Sequence, residues 1–133
     1  MKFSVIIPTF NGGELLRANL ASVSRLSFPK DDFEVIVVDN NSTDNSGEII
    51  ESFPFIKVEE RERQGSYAAR NAGLKVASGE IIAFTDSDCE VDPGWLDALW
   101  EAARQNPRAG CIAGEILDVD EGGVWVRIGT RVP

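Results

Sequence analysis

The sequence predicts an α/β fold: a mainly parallel sheet between two layers of helices, a three-layer αβα sandwich of Rossmann-like type. Short apolar runs rich in β-branched residues alternate along the chain with segments of helical periodicity. The middle of each run is apolar on both faces, which is typical of strands that helices cover on both sides. With 133 residues, the chain suits one domain, 1–133, with a sizeable core.

The first half of the chain supplies three predicted strands and two predicted helices. The strands are expected at 3–8, 33–39 and 55–59, and the helices at 14–24 and 45–52. Leu16, Leu20 and Val23 share one face of the first helix, which we expect to be buried. Asn45 and Glu48 have the spacing of a capping box at the start of the second helix.

The second half continues the alternation. Helices are expected at 67–77 and 93–105, and strands at 80–85, 109–117 and 124–128. Gly79 is expected at the C′ position that ends the first of these helices, and Asp92 with Pro93 is a favoured opening pair for the second. Residues 118–123 read as an acidic turn, and no helix or cap closes the chain. We therefore expect the front part of a longer protein.

Composition excludes several classes of function. The net charge is −9, so no basic face for nucleic acid is expected. The chain has no histidine, which excludes histidine-based catalysis and metal ligation. Its two cysteines lack metal-type spacing, and no signal peptide or run of transmembrane length is present. These features favour a cytoplasmic location with free thiols.

The most informative stretch is IIAFTDSDCEVD at 81–92. Acidic residues are depleted in strands, yet Asp86 and Asp88 directly follow an apolar strand. On an extended backbone, residues two apart point to the same side, so these carboxylates can converge on one cation. Oxygen ligands suit Mg²⁺ or Mn²⁺. The alternative interpretation is a polar turn that caps the next helix.

Other strand ends are also polar. The residues concerned are Thr9 with Asn11, Asp39 with Asn40, and Asp86 with Asp88. Ligands of parallel sheets bind outside the carboxyl ends of the strands, so this convergence favours a metal and nucleotide-diphosphate site. A Walker A loop and a Gly-Xaa-Gly-Xaa-Xaa-Gly loop are both absent from the sequence. A P-loop ATPase and a dinucleotide-binding oxidoreductase are therefore disfavoured.

Three motifs carry a family resemblance: SVIIPTFN at 4–11, VIVVDNNSTDNS at 35–46 and GSYAARNAGLKVASGEIIAFTDSDCEVDPGWL at 65–96. Together they closely resemble family-2 glycosyltransferases of the GT-A fold (nucleotide-diphospho-sugar transferases). The resemblance implies transfer of a sugar, with inversion, from a nucleotide-diphosphate donor of the UDP-sugar type to an acceptor hydroxyl. It also implies Mn²⁺ or Mg²⁺ as cofactor and leaves the acceptor open among glycan, lipid and protein.

The resemblance also assigns roles around the nucleoside. Pro8 and Thr9 match the turn that meets the nucleoside. Asn11 lies where the family approaches the base, with an Asx turn as the alternative role. Asp39 matches the residue that accepts a hydrogen bond from the base, and its alternative role is to cap a helix.

The remaining implied roles concern the phosphates and the metal. Asp86 matches the aspartate that meets the ribose and touches the metal through water, and Asp88 matches the direct metal ligand. Arg70 is expected to reach the diphosphate or the base; its alternative is a surface ion pair with one of the glutamates at 59, 60 and 62. Asn71 is a candidate for holding the aspartate loop in place.

One family feature has no match. The catalytic base of the family is a carboxylate well after the metal motif, and the acidic residues at 118–121 come too early. The resemblance therefore places the base beyond Pro133, together with any membrane contact, and implies a donor-binding part with little activity alone. Two alternatives stay open: a non-catalytic nucleotide-sugar-binding module, and a sugar-phosphate nucleotidyltransferase. The lack of Lys and Arg at 9–14 counts against the second.

Overall fold

A computed structural model describes residues 1–119 and 125–127 of the protein. The chain divides into two compact units, Met1–Asp97 and Ala98–Pro133. The first unit contains four strands: β1 (Phe3–Thr9), β2 (Phe33–Asp39), β3 (Ile56–Glu59) and β4 (Ile81–Phe84). Its helices are α1 (Gly13–Ser24), α2 (Ser46–Glu51) and α3 (Ser66–Val76), with a short 3-10 turn at Lys30–Asp32. Helix α4 (Trp95–Gln105) begins in the first unit and ends in the second.

The four strands form one parallel sheet in the order β3-β2-β1-β4. Strand β1 lies inside the sheet, and all seven of its residues are buried. The connections through α1 and α2 step in one direction along the sheet, whereas α3 leads back past β1 to β4. Because such crossovers are right-handed, α1 and α2 lie on one face and α3 on the other. The predicted α/β fold with a parallel sheet is confirmed.

Tight helix packing covers the α3 face of the sheet. Ile6, Ile36 and Val38 form a buried cluster with Ala69 of α3. A Cβ atom on Gly73 would lie 2.7 Å from Cγ2 of Ile6, so only glycine allows the helix this close to the sheet. On the other side, the predicted apolar face of α1 is buried, including Leu16, Leu20 and Val23.

A partly buried polar network, with Ser4 at its buried end, lies near the amino ends of β1 and β2. One carboxylate oxygen of Glu34 accepts hydrogen bonds from the hydroxyl of Ser4 (2.6 Å) and from the backbone N–H (2.7 Å) and hydroxyl (2.9 Å) of Ser78. The Ser4 hydroxyl also accepts the N–H of Gly79 at 2.8 Å. Burial raises the pKa of the Glu34 carboxyl, but the hydrogen bonds from Ser4 and Ser78 outweigh it, so the pKa lies below its ordinary value of 4.5.

Two local predictions about helix ends are wrong. Asn45 precedes α2 but makes no side-chain cap bond; the carboxylate of Asp44 accepts the N–H of Ser46 instead, at 2.9 Å. Gly79 does not end α3 in the left-handed conformation, because the last turn is followed by Ala77 in extended geometry. Glycine is needed at this position because there is no room for a side chain: a Cβ atom on Gly79 would lie 2.4 Å from the backbone of Phe3.

The strand predicted at 109–117 is also wrong over most of its length. Residues 111–116 form no strand and are exposed, so nothing in this segment gains from burial. Only β5 (Leu117–Val119) is extended, and it pairs antiparallel with β6 (Trp125–Arg127), which confirms the core of the strand expected at 124–128. The expected acidic turn begins in β5, and residues 120–124 lie outside the described range. In the described part of the chain, no helix is long and apolar enough to cross a membrane.

Candidate functional site

An open cleft of about 480 Å³ lies at the carboxyl ends of β1 and β4. Its lining comes from the end of β1 and the turn after it at 8–12, Asn40 after β2, the turn after β4 at 86–88, the segment at 64–66, and side chains of α1 and α3. The volume lies within the range of small-molecule sites. The position is the one expected for ligand binding in a parallel α/β sheet.

Six of the seven predicted site residues line this cleft: Pro8, Thr9, Asn11, Arg70, Asp86 and Asp88. Asp39 does not belong to the lining, although it pairs in register with Thr9 at the end of the neighbouring strand. One oxygen of its carboxylate accepts the N–H of Ser42 at 3.1 Å. Ser42 lies in the turn before α2, so this bond holds the turn after β2 and does not cap the helix, the role that the sequence left open as the alternative for Asp39.

Asp86 and Asp88 reach the cleft by a geometry that differs from the predicted one. The N–H of Cys89 donates to the carbonyl oxygen of Asp86 at 3.1 Å, which closes a turn over these residues. The expectation of an extended backbone here is therefore wrong, and the turn presents both carboxylates to the same space. Both aspartates are exposed. Although Cys89 is exposed as a residue, partial burial of its thiol and then the adjacent Asp88 carboxylate raise the pKa of that thiol and favour its protonated form.

Arg70 is paired within the cleft. Its guanidinium Nη2 lies 2.9 Å from Oδ1 of Asp86, and the side chains are 28% and 59% exposed. The predicted alternative, an ion pair with a glutamate of the 59–62 segment, is wrong: Glu59 pairs with Lys57 and Arg61. Arg70 therefore supplies positive charge beside the aspartate turn.

Sequence reasoning missed the side chain that holds this turn. Asn19 of α1 is fully buried, and its amide nitrogen donates to the carbonyl oxygens of Asp86 (3.2 Å) and Cys89 (2.7 Å). Asn71, the predicted candidate for this task, is exposed. The signal in the sequence was an amide residue between Leu16 and Leu20, on the helix face that is otherwise made of apolar residues and Ser22.

Asn11 joins two of the loops at this edge of the sheet. Its side-chain oxygen accepts the N–H groups of Thr43 (2.8 Å) and Asp44 (3.3 Å), and its own N–H donates to the hydroxyl of Ser42 at 2.9 Å. Its φ of 49° lies in the left-handed region, which asparagine tolerates better than most residues. The turn after β1 is thereby fixed to the turn after β2.

Gly12 and Ser46 complete this connection. The fully buried hydroxyl of Ser46 accepts the N–H groups of Gly12 (3.0 Å) and Gly13 (3.4 Å). A Cβ atom on Gly12 would lie 2.7 Å from Oγ1 of Thr9 and 2.8 Å from Cβ of Leu16, so a larger residue is excluded. That Thr9 hydroxyl is buried and has no hydrogen-bond partner in the described residues.

A second buried amide, Asn40, shapes the loop in front of α3. Its side chain donates to the carbonyl oxygens of Glu60 (2.9 Å) and Arg63 (2.7 Å) and accepts the N–H of Gly65 at 2.8 Å. The side-chain amide of Gln64 donates in turn to the backbone carbonyl oxygen of Asn40 at 3.3 Å. The φ of 119° at Gly65 favours glycine at the point where the chain enters the helix.

Two apolar side chains are exposed at the cleft, Phe10 (55%) and Leu15 (62%). An aromatic ring left half open to solvent beside polar groups offers a flat surface to a ring-shaped ligand. Sequence analysis did not select Phe10. The available signal was an aromatic residue inside a turn, where burial is not expected.

The first unit therefore has a four-stranded parallel sheet with an open cleft at its carboxyl edge, which is where α/β proteins of this kind place their ligand sites. Residues 4–130 match the model of glycosyl transferase family 2, and the chain belongs to that family.

The relatives agree with this assignment. The chain is 44% identical over 99 residues to glycosyltransferase AglE of Haloferax volcanii, covering 71% of this chain and 33% of the relative. It is 43% identical over 93 residues to the poly(ribitol-phosphate) beta-N-acetylglucosaminyltransferase TarS of Staphylococcus aureus, covering 66% of this chain and 16% of TarS. The chain thus spans about a third or less of the length of these relatives.

Solved structures show the same fold. The crystal structure of S. aureus TarS 1–349 superposes with a TM-score of 0.74 at 34% identity, covering 80% of this chain and 33% of that one. A mannosyltransferase from Pyrobaculum calidifontis, in complex with GDP-Man and Mn²⁺, superposes with a TM-score of 0.67 at 35% identity over 71% of this chain and 30% of that one.

Proposed function

We propose that the cleft binds a nucleotide-diphosphate sugar of the UDP-sugar type together with Mn²⁺ or Mg²⁺. The observation that carries this proposal is the convergence of Asp86, Asp88 and Arg70 in one cleft that also exposes Phe10. TarS has been crystallised with UDP-GlcNAc and with UDP, which supports a uridine donor. The mannosyltransferase with GDP-Man and Mn²⁺ supports a divalent metal.

The carboxylates of this cleft fit such a metal. Two exposed aspartates on one turn offer hard oxygen ligands, the chemistry that Mg²⁺ and Mn²⁺ prefer. Within the described residues, no group of three or more acidic, cysteine or histidine side chains could hold a metal ion. Asp88, with Asp86 beside it, would supply at most two protein ligands, and water and phosphate oxygens would fill the other positions of the cation. A bound metal supplies Lewis-acid stabilisation of the leaving diphosphate.

The protein's own residues would orient the rest of the donor. Arg70 lies beside the aspartate turn and can donate charge-assisted hydrogen bonds to a phosphate. The open ring of Phe10 suits stacking with the base. Pro8, Thr9 and Asn11 line the same cleft. Asp39, at the adjacent strand end, uses Oδ1 for the N–H of Ser42, and its second carboxylate oxygen would accept a hydrogen bond from a base N–H.

We further propose that the whole protein transfers the sugar to an acceptor hydroxyl with inversion, in the cytoplasm. A general base must deprotonate that hydroxyl. Among the residues lining the cleft, the acidic ones are Asp86 and Asp88, which we assign to the metal. The base and the acceptor site therefore have to come from residues outside this lining.

The test is calorimetry with UDP in the presence of Mn²⁺ or EDTA, on the wild type and on Asp88→Asn. We expect Mn²⁺-dependent binding in the wild type and its loss in the variant, with an unchanged thermal midpoint because the side chain is exposed. Asp31→Asn, an exposed aspartate in the 3-10 turn away from the cleft, is the matched control. Equal UDP affinity with Mn²⁺ and with EDTA would contradict the proposal. Mn²⁺-dependent hydrolysis of a UDP-sugar separates an enzyme from a binding module.

A further inference from the structure

We infer that Asn19 is a positioning residue, which fixes the Asp86–Cys89 turn in the shape that lets Asp86 and Asp88 receive the metal diphosphate. The inference rests on the proposed function of the cleft. It assigns a role to a side chain in a different helix, which lies 67 residues before the turn in sequence.

The contact is well suited to hold a turn. A side-chain amide carries two N–H donors on one nitrogen. In Asn19 this nitrogen reaches the carbonyl oxygen of the first residue of the turn, Asp86, at 3.2 Å and that of the last, Cys89, at 2.7 Å. The turn's own bond joins the same two residues, from the N–H of Cys89 to the carbonyl of Asp86 at 3.1 Å. One buried amide therefore clamps both ends of the turn.

The turn has few other means of staying in place. Asp86, Asp88 and Cys89 are all exposed, so no large apolar side chain within the turn anchors it to the core. Asn19, in contrast, is fully buried, on a helix held by Leu16 and Leu20, which are also fully buried. The two hydrogen bonds from Asn19 thus fix the exposed turn, and with it the carboxylates of Asp86 and Asp88, to the buried core.

A neighbouring hydroxyl extends the same attachment. Ser22, one turn further along α1, donates to the carbonyl of Asn19 at 2.7 Å and accepts the N–H of Val91 at 3.0 Å. The segment after β4 is therefore bound to one face of α1 at Asp86, Cys89 and Val91. Removing a group that hydrogen-bonds to a metal ligand and orients it commonly lowers the affinity for the metal about 10- to 100-fold.

The experiment compares Asn19→Ala with Ser4→Ala. Ser4 is also fully buried and hydrogen-bonded, but it lies near the amino ends of the strands, away from the cleft. We expect both variants to lose stability in urea titrations. Only Asn19→Ala should lose affinity for UDP with Mn²⁺, about tenfold, with UDP affinity in EDTA unchanged.

Asn19→Leu is the second variant, since leucine fills a similar volume and lacks the two donors. It should show the same selective loss. Wild-type Mn²⁺–UDP affinity in both Asn19 variants, or an equal loss in Ser4→Ala, overturns the inference. If the wild type itself shows no Mn²⁺-dependent UDP binding, the proposed function is wrong. The positioning role of Asn19 is then tested by a separate measurement.

That measurement is hydrogen exchange at the backbone N–H of Cys89 in the wild type without ligand. A turn already fixed by Asn19 protects this amide, so exchange should be at least about tenfold slower than in an unstructured peptide. Exchange at the unprotected rate shows that the turn is not preformed and overturns the inference, whether or not the Asn19 variants fold.

Discussion

The substitution Arg70→Gln tests how the cleft distributes its charges. Arg70 forms a 2.9 Å ion pair with Asp86, and the two side chains are 28% and 59% exposed. In the absence of a phosphate, the guanidinium forms an ion pair with Asp86, one of the two carboxylates proposed to bind the metal. When a donor is present, the same guanidinium is proposed to bind phosphate oxygens. Glutamine keeps much of the side chain's length and removes its charge.

The expected effects have opposite signs for metal and for nucleotide. A partly exposed ion pair contributes about 0.2–1 kcal/mol, so the loss of stability should stay below about 1 kcal/mol. Freeing Asp86 from that competition should strengthen binding of Mn²⁺ alone by up to about fivefold. A hydrogen bond from a charged group contributes about 1.5–3 kcal/mol, so the affinity for UDP with Mn²⁺ should fall about 10- to 150-fold.

Two titrations measure these effects. Electron paramagnetic resonance of free Mn²⁺ reports binding of the metal alone, and calorimetry at saturating Mn²⁺ reports binding of UDP. Arg17→Gln is the control, because Arg17 forms a similar 3.0 Å pair with Glu14 and does not line the cleft. Unchanged UDP affinity in Arg70→Gln would refute contact with the diphosphate. Weaker binding of Mn²⁺ alone would refute the competition for Asp86.

Three further predictions concern single sites. Gly79→Ala should destabilise the chain by about 1–3 kcal/mol in urea titrations, since its Cβ atom would lie 2.4 Å from the backbone of Phe3; an unchanged midpoint would show that this contact relaxes freely. Phe10→Ala should weaken UDP binding by about 1–3 kcal/mol without weakening pyrophosphate binding, because base stacking is lost; an equal loss for both ligands would contradict stacking. The pKa of Glu34 is lowered by folding, so its contribution to stability is present above pH 4.5 and is lost as the pH falls through the folded pKa. Glu34→Gln should therefore show a weaker acid dependence of unfolding than the wild type, and parallel curves would contradict this.

The first four strands could be predicted because their signal is local. Strands β1, β2 and β4 contain continuous apolar runs, whereas β3 alternates apolar and polar residues. Strands β1 and β2 are buried over most of their length, and burial on both faces gives such runs one stable arrangement. The stretch at 109–117 has a similar composition, but all of its residues are exposed, and no strand forms before Leu117. Composition indicates which segments can form strands, whereas burial against neighbours decides which of them do so.

The same distinction applies to the cleft. Asp86 and Asp88 were found because two acidic residues at the end of an apolar strand are conspicuous in a short window. Asn19 was missed, and Asn40 was named as a polar strand end without its supporting role, because their partners are backbone groups 67 to 70 and 20 to 25 residues away, respectively. A backbone carbonyl carries no side-chain signature, so such a partner cannot be identified from the sequence.

This arrangement separates the groups that bind from the groups that support. The exposed carboxylate of Asp88 accepts a long hydrogen bond from the thiol of Cys89, at 3.6 Å, so its removal leaves only an exposed thiol without this partner. The buried amide of Asn19 bonds two backbone groups and that of Asn40 bonds three, and their removal deletes these bonds in a region that water reaches poorly. Variants of the first kind should change affinity at constant stability, whereas variants of the second kind should change both. Measuring stability beside affinity therefore distinguishes a residue that contacts the donor from one that orders the loop around it.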